Sequence, residues 1–176
     1  YYYLGQELFH NTQYREAIKP LNDYIKLSSN VAEKYQAYLI LAQVLYNLKL
    51  IERSFQALDE AIKIYPDSQF AYALKGSYLA AQEKWEEAML YLNKAIEVPG
   101  APVIFDYEDQ RTVVPLRWLS VCHEQLGNIE EAQRFHYLAN SCRIDDGLRK
   151  RNGVWLSSNK YLVKEEPEHF NKTDPE

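Results

Sequence analysis

The apolar residues of this chain recur at the three-and-four spacing of a helix face, and whole faces recur in turn. "TQYREAIKPLNDYI" from Thr12, "EKWEEAMLYLNKAI" from Glu83 and "GNIEEAQRFHYLA" from Gly127 write nearly the same amphipathic helix three times. A bulky residue opens each one (Tyr14, Trp85, Ile129), and a small one follows three places later (Ala17, Ala88, Ala132). That spacing keeps both on one side of a 3.6-residue turn. Ile51 and Ser54 open a fourth copy in the same way.

The small residues fix the period. Ala42, Ser54 and Ala61 return 34 places later as Gly76, Ala88 and Ala95. Gly5 and Ala17 precede Ala42 and Ser54 by 37, and Ser120, Ala132 and Ala139 follow Gly76, Ala88 and Ala95 by 44. Within every unit the first small residue leads the second by 12. A fixed period of this length marks a helix-turn-helix repeat, and the extra three and ten residues must fall between units.

The physics of a helical hairpin explains those residue types. Two antiparallel helices on a short turn approach closely only where side chains are small, so Gly5, Ala42, Gly76 and Ser120 mark contacts between the paired helices. Leu21, Leu58 and Leu92, one turn after the second small residue, fill the wider gaps. A single hairpin cannot bury its apolar face alone, so neighbouring units supply the rest of the core. Asn30 with Glu33, and Asn128 with Glu131, have the spacing of a cap in which an amide oxygen takes an orphan N–H and the acid reaches back. Pro66 closes the second unit, and Pro99 with Gly100 the third. The expected fold is all-α: a right-handed superhelix of about four helix-turn-helix repeats (1–29, 30–66, 67–100 and 110–143) with a C-terminal capping helix over about 146–157.

Composition narrows the class without changing this picture. The 176 residues are 47% apolar and 26% charged, enough for one sizeable core. The formal charge of −5 is spread along the chain with no basic stripe, which argues against nucleic acid as a partner. No apolar run approaches the roughly 20 residues of a membrane span, and the opening "YYYLGQELFH" lacks the basic flank and cleavage site of a signal peptide. The expected location is cytoplasmic. Met89 is the only methionine, from which we expect the chain to be part of a longer protein. Cys122 and Cys142 fall on different helices without metal-type spacing and read as buried thiols.

The segments "YYYLGQEL…YREAIKPL", "YLILAQVL…ERSFQALDEAIKIYP", "YALKGSYL…WEEAMLYLNKAIEVP" and "RWLSVCHEQLGNIEEAQ" resemble the tetratricopeptide repeat family over about residues 1–143. The fourth unit departs most, with His123 and His136 where an aromatic residue is usual and no closing proline. More narrowly, the opening segment, the second hairpin and the long insertion are similar to the repeat-containing C-terminal region of bacterial family-2 glycosyltransferases. That resemblance implies a nucleotide-sugar site upstream, outside these residues.

The resemblance implies a concave groove lined by the first helix of each unit, with ligands lying across it. The corresponding places are Tyr2, Gln6, Phe9 and His10; Gln36, Leu39, Gln43, Tyr46 and Asn47; Phe70, Ala73, Ser77 and Ala80; and Arg117, Val121 and Glu124. Such a groove is aromatic, rich in amides and weakly charged, suited to an extended peptide backbone. The Lys/Asn clamp with which some family members hold acidic chaperone tails is missing, since its places carry Tyr2, Gln6, Phe70 and Leu74.

Catalytic chemistry finds little support. Asp106, Glu108 and Asp109 gather carboxylates, but without the glycine of a calcium loop and beside Arg111, so a solvated loop is the simpler reading. The spacing leads us to expect His123 and His136 to face each other across the last hairpin beside Cys122, yet four zinc ligands do not assemble, and packing histidines are expected. There is no G-x-S-x-G, P-loop or dinucleotide loop, and no cofactor or metal is expected. Asn171 opens a glycosylation sequon of little weight in a cytoplasmic tail. The insertion over 99–115 carries Ile104, Phe105 and Tyr107, too apolar for a spacer and a second candidate contact surface. Leu148, Trp155 and Leu156 are expected to cover the last hairpin, leaving 158–176 as a frayed tail. The sequence therefore reads as a non-catalytic interaction scaffold for a protein or peptide segment. Its alternatives are an accessory glycosyltransferase domain aiding acceptor positioning or self-association as a homo-oligomer, or docking on an upstream domain of the same chain; an independent enzyme is the least favoured.

Overall fold

The computed structural model describes residues 1–98 and 113–152, with side chains to residue 141. The described residues form helices and turns only: α1 (Tyr2–His10), α2 (Tyr14–Leu27), α3 (Val31–Asn47), α4 (Ile51–Ile64), α5 (Gln69–Ala80), α6 (Trp85–Glu97), α7 (Val113–Gln125) and α8 (Ile129–Asn152). The four second helices begin at Tyr14, Ile51, Trp85 and Ile129, the bulky residues from which the repeat was read. Each first helix packs on its own second helix, and α2, α4 and α6 each pack on the first helix of the next unit. The result is the superhelical stack that the spacing predicts.

The small residues do what the hairpin argument requires. A Cβ added to Gly5 would lie 2.7 Å from Leu21 Cγ, and one on Gly76 would lie 2.6 Å from Leu92 Cγ. In the other two hairpins a hydroxyl occupies the close approach. Ser54 Oγ donates to the Ala42 carbonyl and Ser120 Oγ to the Ala132 carbonyl, both at 2.8 Å. The same contact is thus made by packing in two units and by packing plus a hydrogen bond in the others.

Every hairpin turns in the same way. Thr12, Lys49, Glu83 and Gly127 adopt left-handed backbone with φ of 61°, 63°, 61° and 79°. The following N–H reaches the carbonyl five residues back: Gln13 to Leu8, Leu50 to Leu45, Lys84 to Leu79 and Asn128 to His123. This closes the orphan carbonyls of each first helix. Only the fourth turn uses glycine, the residue that adopts this conformation without Cβ strain. A Cβ at Gly127 would meet nothing within 4 Å. Gly127→Ala is therefore expected to cost about 1 kcal/mol through backbone strain alone, and Glu83→Gly to gain a comparable or smaller amount. Equal urea midpoints for wild type and both variants would refute this account of the turn.

Capping differs in detail from expectation. Asn30 Oδ1 accepts from the Ala32 and Glu33 N–H groups, as a cap should. Glu33 does not reach back. Its carboxylate takes the Tyr24 hydroxyl, and the Asn30 N–H goes instead to Ser28 Oγ at 3.1 Å. Ser68, unmarked by any box pattern, caps α5 through the Ala71 N–H and bonds to the Tyr35 hydroxyl in the core. Helix α7 starts at Val113, so the last residues assigned to the insertion form its first turn, where Pro115 has no helical N–H to lose.

The buried apolar residues fall into two clusters. One runs from Tyr2 to Ala71, the other from Leu79 to Ala139, with Phe55 touching both. Between them sits Lys75, 6% exposed, at a place filled by Leu41 in the second unit and Leu119 in the fourth. Its ammonium pairs with Asp59 at 2.5 Å and lies 4.4 Å from the Tyr91 ring centroid and 5.7 Å from that of Phe55. Burial acts to lower its pKa, but bonds to the Asp59 carboxylate and Tyr91 outweigh that, so the net shift is upward. The lysine is kept charged inside a largely apolar stack by one carboxylate and two ring faces.

The fourth unit departs where the sequence said it would, though differently. His136 is exposed, and Phe135 is buried in its place, stacked on His123 with ring centroids 5.3 Å apart and planes at 14°. The two histidines therefore do not form a facing pair; His123 Nδ1 is buried without a hydrogen-bond partner. Helix α8 runs unbroken to Asn152 rather than ending near 143 and restarting as a separate cap. Trp155, Leu156 and the tail lie outside the described residues, as do the side chains of Cys142 and Leu148.

Cys122 is fully buried, and burial pushes its thiol up to about 11. In the unfolded chain a thiol ionises near pH 8.5–9. Between about pH 9 and about pH 11 the unfolded state thus holds fewer protons than the fold, and stability must fall as pH rises. The urea midpoint is expected to drop across that interval, and to drop less in Cys122→Ala. Identical slopes for the two proteins would show that the thiol is not protected.

Candidate functional site

The residues expected to line a groove divide sharply once placed. Tyr2, Leu39, Ala73 and Ala80 are 1–5% exposed and belong to the core; Gln36 is buried as well. Tyr2 faces inward because Gly5 and the α1–α2 approach draw its ring onto Tyr24, 5.3 Å away. Phe70 is half-buried against the first cluster. Phe9 leans on Tyr14 at 6.0 Å and on His10 at 5.5 Å, so one flank of its ring is covered. Gln6, Gln43, Tyr46, Ser77 and Val121 are half-buried, and His10, Asn47, Arg117 and Glu124 are exposed.

The centre of the accessible set is a small patch joining α3 and α5. Tyr46 stacks on Tyr78, with centroids 3.6 Å apart and planes at 6°. Burial raises the pKa of both phenols, Tyr78 far more than Tyr46, and Tyr78 is raised further by its neighbour. Both are therefore neutral at physiological pH. Beside the stack, Gln43 Nε2 donates to the Leu39 carbonyl at 3.2 Å, and Asn47 Nδ2 to the Gln43 carbonyl at 2.8 Å. Ser77 Oγ donates to the Leu74 carbonyl at 2.9 Å. These bonds tie the polar side chains to their own helices and so fix a surface that needs little ordering when something binds.

Tyr78 was not among the expected site residues. Its signal was indirect: Ala80 stands where the repeat places Tyr46 in the preceding unit, and a small residue there leaves room for a large ring beside it. Repeat-to-repeat comparison at one position misses a pair formed between different positions.

Of the other candidates, Ile104, Phe105, Tyr107 and the carboxylates of Asp106, Glu108 and Asp109 lie outside the described residues. Among the described residues no group of three His, Cys, Asp or Glu side chains is arranged to hold a metal, and no helix is long and apolar enough to cross a membrane.

With this geometry in hand, likeness to known proteins is informative. Residues 2–69 match the family described as Tetratricopeptide repeat. The fold resembles the crystal structure of MamA, with a TM-score of 0.68 and 17% identity over 82% of this chain and 77% of that one. It also resembles a structure titled MamA RS-1 ArsTM double mutant, with a TM-score of 0.61 and 16% identity over 77% and 69% of the two chains. At these identities the likeness establishes the fold alone. No curated protein matches the sequence.

Proposed function

We propose that this chain, a tetratricopeptide repeat protein and so by fold an interaction scaffold, is non-catalytic and holds an extended protein or peptide segment across the face of its first helices. The observation that carries this reading is the α3–α5 patch. A half-buried aromatic pair flanked by pre-ordered amides offers rigid contact area at low entropic cost, at the centre of the face where bound water is most easily excluded. The accessory role in a glycosyltransferase stands on sequence resemblance alone.

The test is direct. A peptide selected on the wild-type chain should lose about 1–3 kcal/mol of binding free energy when Tyr46 and Asn47 are both replaced by alanine, the scale of one or two central anchor residues. Helicity by circular dichroism should be unchanged. Undiminished affinity in the folded double variant would move the binding surface elsewhere, with the 99–115 insertion as the next candidate.

A further inference from the structure

The hydrogen bonds of the patch restrict the chemistry of its occupant. A carbonyl oxygen can only accept, so an amide bonded to one must present its nitrogen, and the usual uncertainty about amide orientation disappears. Gln43 and Asn47 each direct an N–H to a helix carbonyl. Their oxygens, each with two lone pairs, are left to face other partners. Ser77 has one hydrogen and donates it to Leu74, leaving only acceptor capacity. Each amide keeps a second N–H and each tyrosine a hydroxyl hydrogen, but against these the oxygens of Gln43, Asn47 and Ser77 offer six lone pairs, so acceptor capacity still exceeds donor capacity beside the Tyr46–Tyr78 stack. Aromatic ring faces add negative potential of their own.

The surrounding charges leave that bias intact. No ionisable side chain other than tyrosine lies between Gln43 and Asn47 on α3 or between Gly76 and Ala80 on α5. The nearest ammonium on α5, Lys75, is turned to Asp59, Phe55 and Tyr91. In the adjoining turns Lys49 and Glu83 occupy equivalent places with opposite sign. On the flanking first helices, Glu7 and His10 lie on α1, and Arg117, His123 and Glu124 on α7.

We propose that the segment held at this patch carries an arginine, whose guanidinium lies against the tyrosine pair and donates to the oxygens of Gln43, Asn47 and Ser77. A guanidinium combines a planar face for stacking with several N–H donors and no acceptor, matching a surface with the opposite balance. A carboxylate could take the second N–H of each amide and the phenol hydroxyls, but it would face the acceptor oxygens and the negative ring faces, which oppose its charge. The inference rests on the groove reading and specifies its ligand.

Titration calorimetry of the full chain against mixed short peptides tests it, one central position being fixed as arginine, glutamate or leucine and the flanking positions randomised. The arginine mixture is expected to bind at least about tenfold tighter than the other two. Tyr46→Leu should abolish that advantage, and Gln43→Lys should reverse it in favour of glutamate, both variants being checked for helicity. Equal binding of all three mixtures would overturn the arginine assignment and leave a groove that reads backbone alone. Tighter binding of glutamate would also overturn it. Binding of none of them would remove the groove reading and this inference together.

Discussion

Leu92→Ala is expected to lower stability by about 2–5 kcal/mol, the range for deleting a fully buried leucine side chain. Leu92 is 0% exposed and fills the space over Gly76, a close helix-helix approach in the third hairpin. Its loss leaves a cavity bounded by a glycine that cannot fill it. Gly76→Ala in the wild-type background places a methyl 2.6 Å from Leu92 Cγ and 3.1 Å from the Leu92 backbone nitrogen, so it should destabilise by overpacking, by about 1–3 kcal/mol. In the Leu92→Ala background the side-chain clash is gone and the same methyl enters the vacated space. The double variant should therefore be markedly more stable than the sum of the two single losses predicts. Strict additivity in urea unfolding would mean that the two residues do not share this contact.

The second large effect has the opposite sign. Pro20 lies inside α2 as its seventh residue, where it has no N–H to give the Glu16 carbonyl. A proline in a helix interior costs about 3 kcal/mol relative to alanine. Its stiffening of the unfolded chain returns up to about 1 kcal/mol of that. Pro20→Ala is thus expected to raise stability by about 2 kcal/mol. The repeat supports the choice of residue, since the equivalent place in the second unit is Ala57, buried in the core. A lower melting temperature in the variant would show that the ring contributes packing greater than the lost hydrogen bond.

The stack was legible because its signal is repeated. Gly5, Ala42, Gly76 and Ser120 each carry little information alone, but a common offset to Ala17, Ser54, Ala88 and Ala132 leaves one reasonable architecture. What escaped was whatever happens once. Lys75 at a leucine place, Ser68 as a cap inside the core, and Phe135 taking the position expected of His136 are single departures, and a periodic pattern treats a single departure as noise. The candidate surface was legible to a lesser degree for a related reason. The repeat pointed to the helix faces expected to line a groove, but exposure within such a face depends on which neighbour is large, as Tyr2 and Tyr78 both show. Residues are assigned to a surface by position and removed from it by the volume of what packs beside them.

The polar junction at Lys75 also bears on how the molecule comes apart. A linear stack has no contact between distant units to hold it together, so it yields at its weakest interface. Here the apolar core is interrupted within α5, and an ammonium joins α5 to α4 through a carboxylate that is itself 47% exposed to water. Salt weakens such a pair but leaves the apolar clusters on either side intact. The boundary between the two clusters, bridged by Phe55 as well as by this ion pair, is thus where a destabilised chain is expected to open first, one side yielding while the other stays closed.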